Sequence, residues 1–246
     1  MIKPSIQVIF FDAVGTLFQV KGSVGEIYLR YAKKYGILPS AELAARVNRA
    51  FKESFAQAPP PIFAVEEPEK LKQSERLWWF DIVHGAFYRI QMFEGFDNYF
   101  DEVYEAFGTA DHWEIYPEVP DVLKELKVQG YELGVISNFD TRFFKIFREL
   151  NLDQYFDSIT VSSLAGSAKP SPKIFKYALD QHALDPDEAI HIGDSIKEDI
   201  EGARQANMLS ILVDREIGDD KIKNNVIKQL NQVPEILEKI KVRNSF

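Results

Sequence analysis

The sequence has no cysteine among its 246 residues, which excludes disulfide bonds, thiolate metal ligands and a cysteine nucleophile. Long apolar runs are also absent, and none approaches the roughly 20 residues that a membrane-spanning helix needs. The apolar stretch near the N-terminus is too short for a secretory signal and leads directly into a carboxylate, Asp12. We therefore expect a cytoplasmic protein with no membrane partner.

Basic residues are fewer than acidic ones. The chain has 29 lysines and arginines and 38 aspartates and glutamates, which gives a net charge of -9. A field of this sign opposes nonspecific attraction to nucleic acid, so no nucleic-acid partner is expected. Hydrophobic residues make up 46% of the chain, enough to bury a sizeable core in one large domain or two modest ones. We expect a monomer or a homodimer.

Short apolar strands alternate with amphipathic helices along much of the chain, which predicts a parallel sheet covered by helices on both faces. Residues 23–107 interrupt this alternation with a nearly continuous series of helical patterns, typical of a lobe inserted after the first strand. The predicted strands cover 6–11, 131–136, 158–161, 189–192 and 209–213, and the predicted helices cover 23–36, 40–56, 71–91, 99–107, 119–129, 140–150, 172–182, 196–206 and 233–242.

Polar residues follow the predicted strands of the sheet. Asp12 comes directly after the first strand, and Ser137 and Asn138 lie at the end of the second. Lys169 lies in the loop after the third strand, and Asp194 follows the fourth. Ligands of open parallel sheets bind outside the carboxyl ends of the strands, so we expect these side chains to share one site.

Two carboxylates at neighbouring strand ends repel each other by about 4 kcal/mol at 4 Å and an effective dielectric constant of 20. Oxygen ligands of this kind suit Mg²⁺, so Asp12 and Asp194 are predicted to bind it together with a phosphate oxygen of a substrate. Lys169 would offset the remaining negative charge, while groups near Ser137 hold the phosphoryl oxygens. Asp12 would attack phosphorus, and water would cleave the aspartyl-phosphate.

Four segments in this order, DAVGTLF, VISN, KPSPKIF and GDSIKED, resemble the motifs of the haloacid dehalogenase superfamily. Within it, RLWWFDIVHGAF and VISNFD are similar to one group of members. The resemblance covers essentially the whole chain and implies an α/β fold, a Mg²⁺ cofactor and a small phosphorylated substrate. The implied domains are a Rossmann-like parallel-sheet core of residues 1–18 and 114–246 and an inserted helical cap of residues 19–113.

The same resemblance implies a role for each motif residue. Asp12 and Lys169 would be catalytic, and Lys169 would also contact the phosphoryl group of the substrate. Ser137 and Asn138 would bind substrate. Metal binding is implied for Asp12, Asp194 and the backbone carbonyl of Val14. Thr16 and Ser195 would support the metal ligands from behind, and Asp199 would either do the same or orient Lys169.

One position departs from the phosphatases of this superfamily, which usually carry a second aspartate two residues after the nucleophile, where this chain has Val14. That aspartate protonates the leaving oxygen and activates water, and a positioned acid or base contributes about 10²- to 10⁴-fold in rate. Three interpretations stay open: a slow or specialised phosphatase, a reaction that needs no leaving-group acid, and a regulatory protein that binds phosphate and metal with little or no turnover.

Metal-independent 2-haloacid dehalogenases give the second interpretation a concrete form, because they resemble DAVGTLF and release a halide that needs no proton. Their fourth motif lacks the GDS pattern found here, and Asp194 would repel the carboxylate of a haloacid, so phosphoryl transfer is favoured. Phosphonoacetaldehyde hydrolases also lack the second aspartate but need a Schiff-base lysine. Lys52 is the candidate by position, but NRAFKESF does not resemble their motif.

Other residues of the predicted cap have simpler interpretations. Trp78, Trp79 and Phe80 fit packing between helices, and no histidine has metal-ligand spacing. Hinges for closure of the cap are expected near residues 18–22 and 108–116. The candidates for a substrate-selecting cation are Arg30, Lys33, Lys34, Arg46 and Arg49, and the histidines are His84, His112, His182 and His191.

Overall fold

A parallel β-sheet lies at the centre of the computed structural model, which describes residues 6–218 and 225–244. Six strands form this sheet in the order β5-β4-β1-β6-β7-β8 and all its pairs are parallel, which confirms the predicted α/β class. In chain order the strands of the described residues are β1 (Val8–Phe11), β2 (Phe18–Val20), β3 (Trp113–Ile115), β4 (Glu132–Ser137), β5 (Ser158–Val161), β6 (Ala189–Gly193), β7 (Leu209–Val213) and β8 (Val226–Ile227).

The predicted helices recur in the same order, with one further short helix, Ser162–Ala165, where a loop was expected. None of the described helices is long and apolar enough to cross a bilayer. Serine side chains cap the first two, since Ser23 accepts from Glu26 N and Ser40 accepts from Leu43 N. They are α1 (Val24–Ala32), α2 (Ala41–Gln57), α3 (Pro68–Tyr88), α4 (Phe96–Ala106), α5 (Val119–Val128), α6 (Phe143–Glu149), α7 (Ser162–Ala165), α8 (Pro172–Asp180), α9 (Gly202–Gln205) and α10 (Val233–Asn244).

Strand β1 is buried on both faces of the sheet. Ile9 and Phe11 belong to the apolar cluster that α5, α6 and α10 complete, while Val8 and Phe10 belong to the cluster on the α8 and α9 side. Full burial of such a side chain contributes about 1.5–3 kcal/mol to folding. The register pairs Phe11 with Val135 of β4 and Ile192 of β6, so the three central strands end at nearly the same level.

Helices α1–α4, here called the helical insertion, pack around their own cluster of aromatic side chains. The chain enters and leaves this insertion through an antiparallel ribbon in which Phe18 pairs with Ile115 and Val20 pairs with Trp113. Both predicted domain boundaries, and both predicted hinge segments, fall in or beside these two strands. The aromatic cluster includes Tyr28, Phe87, Phe96, Tyr99 and Phe100.

The structure differs from the sequence-based prediction mainly in short elements. Strands β2, β3 and β8 span two or three residues each, too few for a recognisable alternation. Helix α3 begins at Pro68, three residues before the prediction, because proline needs no hydrogen bond in the first helical turn. The predicted helix 196–206 consists of a π-helical segment, Ile196–Glu201, followed by α9.

Candidate active site

The loops after the central strands bring the predicted polar residues to one edge of the sheet. Asp12 follows β1, and its N–H donates to the carbonyl oxygen of Ile192 at 2.8 Å, which ties this loop to β6. Ser137 ends β4 and is buried, and Asp194 directly follows β6. Lys169 reaches the same place from the loop between α7 and α8.

The buried ammonium group of Lys169 connects two carboxylates. Its Nζ donates to Asp12 Oδ1 and to Asp199 Oδ1, both at 2.6 Å, and only 1% of its side chain is exposed. Burial lowers the pKa of Lys169, but the charges of Asp12 and Asp199 outweigh that effect and hold its pKa above the usual value. Lys169 is therefore a permanent cation that fixes one oxygen of Asp12.

Asp199 has both carboxylate oxygens engaged. Oδ1 also accepts from Nε2 of His191 at 2.8 Å, and Oδ2 accepts from the backbone N–H of Ser195 at 2.9 Å. Burial raises the pKa of Asp199, but Lys169 and His191 outweigh it, so the net pKa lies below its usual value. Asp199 thus positions Lys169 rather than offering a free ligand oxygen. The contact with His191 was not predicted, because nothing in the sequence relates this β6 residue to the motif.

Negative charge exceeds positive charge at the site. Carboxylate oxygens of Asp12, Asp194 and Asp199 lie within 4.8 Å of one another, and Lys169 is the cation that contacts two of them among the described residues. Burial first, and the neighbouring carboxylates next, raise the pKa of Asp12 to about 7 despite Lys169. Asp194 is exposed, but partial desolvation beside the site and the charge of Asp199 raise its pKa to about 6. A divalent cation would relieve this repulsion, and an all-oxygen donor set suits Mg²⁺.

A tight turn at Gly15 makes room for Asp194. Gly15 has a φ of +95°, and a Cβ atom there would lie only 2.4 Å from Asp194 Oδ2. Arg215, which follows β7, supports the turn from outside, because its guanidinium donates to the carbonyl oxygens of Gly15 at 3.3 Å and Thr16 at 2.8 Å. The Thr16 hydroxyl is buried without a hydrogen-bond partner among the described residues. The donor set and this cradle fit a metal ion, and the Val14 carbonyl stays a predicted ligand.

Substitution Gly15→Ala is expected to weaken Mg²⁺ binding by about 10- to 100-fold, as changes behind metal ligands typically do. The added Cβ would displace the Asp194 carboxylate, on top of the cost of a positive φ for alanine. Gly130→Ala is the matched control, since Gly130 has a φ of +87° and nothing within 4 Å of a Cβ. Calorimetric titration with Mg²⁺ measures the effect. Equal Mg²⁺ affinity in the two variants would contradict this role of Gly15.

Asn138 fixes the backbone of the loop that carries Lys169. Its Oδ1 accepts from the Lys169 N–H at 2.8 Å, and its Nδ2 donates to the Lys169 carbonyl at 3.0 Å and to Glu198 Oε2 at 3.2 Å. Ser195 has a similar local task, because its hydroxyl accepts from the Glu198 N–H at 3.1 Å. The roles of Ser137 and Asn138 as substrate-binding residues stay predictions.

An apolar cavity of about 340 Å³ adjoins this polar site, between the sheet edge and the helical insertion. Nine aromatic side chains, two of them tyrosines, and five valines line it, and Asn138 and Arg142 complete the lining. It meets the polar site at Val14 and Asn138. None of the described residues that line the cavity has a carboxyl group.

Arg142 is held by a network that joins the loop after β4 to the helical insertion. Its guanidinium donates to Asp140 Oδ1 at 2.9 Å and Oδ2 at 2.6 Å, and to the Tyr104 carbonyl at 2.8 Å. Trp79 Nε1 donates to Asp140 Oδ2 at 2.5 Å. Glu75 of α3 accepts from the backbone N–H of Thr141 at 2.9 Å. These residues were not predicted, although Asp140, Thr141 and Arg142 lie within five residues of the end of β4.

The structure revises the interpretation of the predicted cap. Phe80 packs within the helical insertion as predicted, whereas Trp79 also lines the cavity. Lys52 is exposed on α2, in agreement with its interpretation as a solvated residue. The cavity's cation is Arg142, from outside the insertion, and the five candidate cations are exposed and absent from its lining: Arg30, Lys33, Lys34, Arg46 and Arg49.

A family model described as haloacid dehalogenase-like hydrolase matches residues 6–207. The chain belongs to this family. It is 31% identical to haloacid dehalogenase-like hydrolase domain-containing protein 3 from Xenopus laevis over 212 residues, which cover 85% of this chain and 84% of the relative. The segments RLWWFDIVHGAF and VISNFD predict a likeness to this group of the family, and the comparison confirms it.

Two proteins named for different reactions resemble this chain. Over 132 residues, 50% of this chain and 58% of the relative, the sequence is 36% identical to glyceraldehyde 3-phosphate phosphatase from Methanothermobacter thermautotrophicus. The fold is similar to that of 2-haloacid dehalogenase from Pseudomonas syringae pv. Tomato DC3000, with a TM-score of 0.62 and 27% identity over 95% of this chain and 99% of that one. The family and the fold therefore leave the reaction to be argued from the site.

Proposed function

We propose that this hydrolase is a Mg²⁺-dependent phosphatase of a small phosphorylated metabolite and that Asp12 is its nucleophile. The observation that carries the proposal is the arrangement around Lys169, whose ammonium fixes Asp12 Oδ1 while Asp194 stays available beside it. The likeness to glyceraldehyde 3-phosphate phosphatase supports a phosphate ester as substrate. It does not identify the alcohol part of that ester.

In the proposed reaction a carboxylate oxygen of Asp12 attacks phosphorus, and the ester oxygen leaves with the bonding electron pair. Lys169 holds Asp12 in place and stabilises negative charge on the phosphoryl group. Water then attacks the phosphorus of the aspartyl-phosphate, which releases phosphate and restores the carboxylate. Mg²⁺, when bound by Asp12, Asp194 and the carbonyl oxygen of Val14, would neutralise the phosphoryl oxygens.

We also propose that residues 19–113 act as a cap that opens for substrate and closes over the site. The contacts of Glu75 with Thr141 and of Trp79 with Asp140 connect this segment to the loop after β4 and would hold the closed state. The ribbon of β2 and β3 connects the two parts and would carry the hinge. Closure would exclude bulk water while the aspartyl-phosphate forms.

Dehalogenation is the second candidate, because Val14 supplies no acid and the similar structure from Pseudomonas syringae belongs to a 2-haloacid dehalogenase. Asp194 argues against it, since this carboxylate lies near Asp12 and would repel the carboxylate of a haloacid. A panel of phosphate esters with Mg²⁺ or EDTA, run beside halide release from 2-chloropropionate, separates the two. We expect phosphate release that EDTA abolishes; halide release without metal would overturn the proposal. Binding of phosphate without any turnover would favour the regulatory alternative.

A further inference from the structure

The cavity adjoins the polar site at Val14 and Asn138, which makes it the candidate space for the leaving group. This inference rests on the proposed phosphatase function. Val14, where related phosphatases carry their acid, lines the cavity with an apolar side chain. No other carboxyl group among the described lining residues replaces that acid. The other acidic groups of the described lining are the phenols of Tyr28 and Tyr104, and burial raises the pKa of both above the usual value. The leaving oxygen would therefore depart as an anion, because the described cavity wall carries no carboxylic acid to protonate it.

The acidity of the leaving hydroxyl group decides how much the missing acid at position 14 slows the reaction. A phenol has a pKa of about 10, as in the tyrosine side chain, whereas an ordinary alcohol is about as weak an acid as water, near 15.7. A phenolate leaves readily without protonation, but an alkoxide does not. The valine at position 14 thus favours a phosphate ester of an acidic hydroxyl compound, such as a phenol.

The cavity lining points to the same kind of ester by an independent observation. Its volume of about 340 Å³ is roughly twice that of an engineered apolar cavity that binds benzene. Aromatic side chains dominate the lining and offer ring edges and faces to a flat apolar group. The many hydroxyl groups of a sugar would find few partners there, and each unpaired buried hydroxyl weakens binding.

Arg142 does not convert the cavity into a site for a second anion. Its charge is already balanced by the bidentate contact with Asp140, and another N–H of the guanidinium donates to the Tyr104 carbonyl. The carboxylate of Glu75 lies next to this network and accepts from the backbone N–H and the hydroxyl of Thr141. The organic part of the ligand is consequently neutral as well as apolar.

We propose that the substrate class is an aryl phosphate monoester, with its phosphate at Asp12 and Lys169 and its neutral aromatic ring in the cavity. A carboxylate oxygen of Asp12 forms a bond to phosphorus, and the bond from phosphorus to the phenolic oxygen breaks. The phenolate leaves with the electron pair and takes its proton from solvent. Water then cleaves the aspartyl-phosphate to phosphate, as in the second step of the proposed function.

Four substrates test the leaving group and the ring separately: phenyl phosphate, benzyl phosphate, glucose 6-phosphate and acetyl phosphate. Benzyl phosphate keeps the ring but has an alcohol as leaving group, and acetyl phosphate has an acidic leaving group without a ring. We expect kcat/KM for phenyl phosphate to exceed that for benzyl phosphate by about 10²-fold or more, the contribution of the missing acid. Val14→Asp should narrow this ratio by at least about tenfold.

Binding to Asp12→Asn, measured by calorimetry with Mg²⁺, tests the cavity without turnover. Phenyl and benzyl phosphate should bind with similar Kd, and glucose 6-phosphate at least about tenfold more weakly. Val24→Phe and Val20→Phe, which fill the cavity, should each weaken phenyl phosphate binding at least about tenfold relative to acetyl phosphate. Leu77→Gln, an exposed position of α3 outside the cavity, is the control and should change neither Kd.

The outcomes distinguish this inference from the function on which it rests. Mg²⁺-dependent hydrolysis of acetyl phosphate that requires Asp12 would support the phosphatase function alone. If glucose 6-phosphate or benzyl phosphate is then used as well as phenyl phosphate, the aryl ester is wrong and the phosphatase stands. If none of the four substrates is hydrolysed with Mg²⁺, the proposed function is overturned, and the inference with it.

Discussion

Asp12→Asn should abolish Mg²⁺-dependent phosphate release, with a loss of about 10⁴-fold or more in kcat, because an amide oxygen is a very poor nucleophile. The change is isosteric, and Lys169 still has Asp199 as an ionic partner. Burial raises the pKa of Asp12 to about 7, above its value of 3.8 in an unfolded chain, so its ionised form destabilises the folded state at pH 8. Without metal, the variant should therefore unfold at the same temperature as the parent or higher.

The two measurements together separate a catalytic role from a structural one. Phosphate release is followed with acetyl phosphate, and Tm is measured at pH 8 in EDTA and again in Mg²⁺. The parent should gain more in Tm from Mg²⁺ than Asp12→Asn, which has lost one charged ligand. Asp97→Asn, at an exposed position in the first turn of α4, is the control for a lost carboxylate. Residual activity above about one per cent in Asp12→Asn would mean a loss of less than about 10²-fold in kcat, against the expected 10⁴-fold. That result would refute Asp12 as nucleophile.

The sheet could be predicted from sequence because its strands are continuous apolar runs that end at polar or turn residues. The segments 158–161 and 209–213 have the predicted bounds in the structure. The ribbon of β2 and β3 could not be predicted, since its pairing joins Phe18 to Ile115 across nearly a hundred residues. Such a pairing depends on how the helical insertion folds, and short strands carry little local signal.

The site shows the same division between local and long-range information. The positions of Asp12, Lys169 and Asp194 follow from one rule about strand ends, and the structure brings these three residues together. The contact of His191 with Asp199 and the support of the Gly15 turn by Arg215 depend on tertiary packing. The apolar cavity is likewise a product of packing, because its lining combines side chains of the helical insertion with loops at the sheet edge. Motifs identify the reacting groups, whereas packing decides which substrate reaches them.

Lys169→Met should be the most destabilising single change at the site, with a loss of about 3–5 kcal/mol in the free energy of unfolding. Removal of the ammonium leaves the buried carboxylates of Asp12 and Asp199 without their shared counterion, and methionine fills nearly the same space. Activity should also be lost. Urea unfolding at pH 8 in EDTA measures the effect, and Lys173→Met on the exposed side of α8 is the control. A loss below about 1 kcal/mol, the range of a surface ion pair, would contradict the buried charge network.

The destabilisation of Lys169→Met should depend on pH in a definite direction. Without Lys169 the pKa of Asp12, already raised by burial, would rise further, since the ammonium is what opposes that rise. An acid whose folded-state pKa lies above its unfolded value destabilises the fold as pH increases through that range, and protonation at lower pH removes the cost. The difference in unfolding free energy between Lys169→Met and its parent should thus be larger at pH 8 than at pH 5. The double variant with Asp12→Asn should recover part of the loss at pH 8, because one of the two uncompensated carboxylates is gone. Full additivity of the two substitutions would mean that Lys169 and Asp12 do not interact energetically in the folded protein.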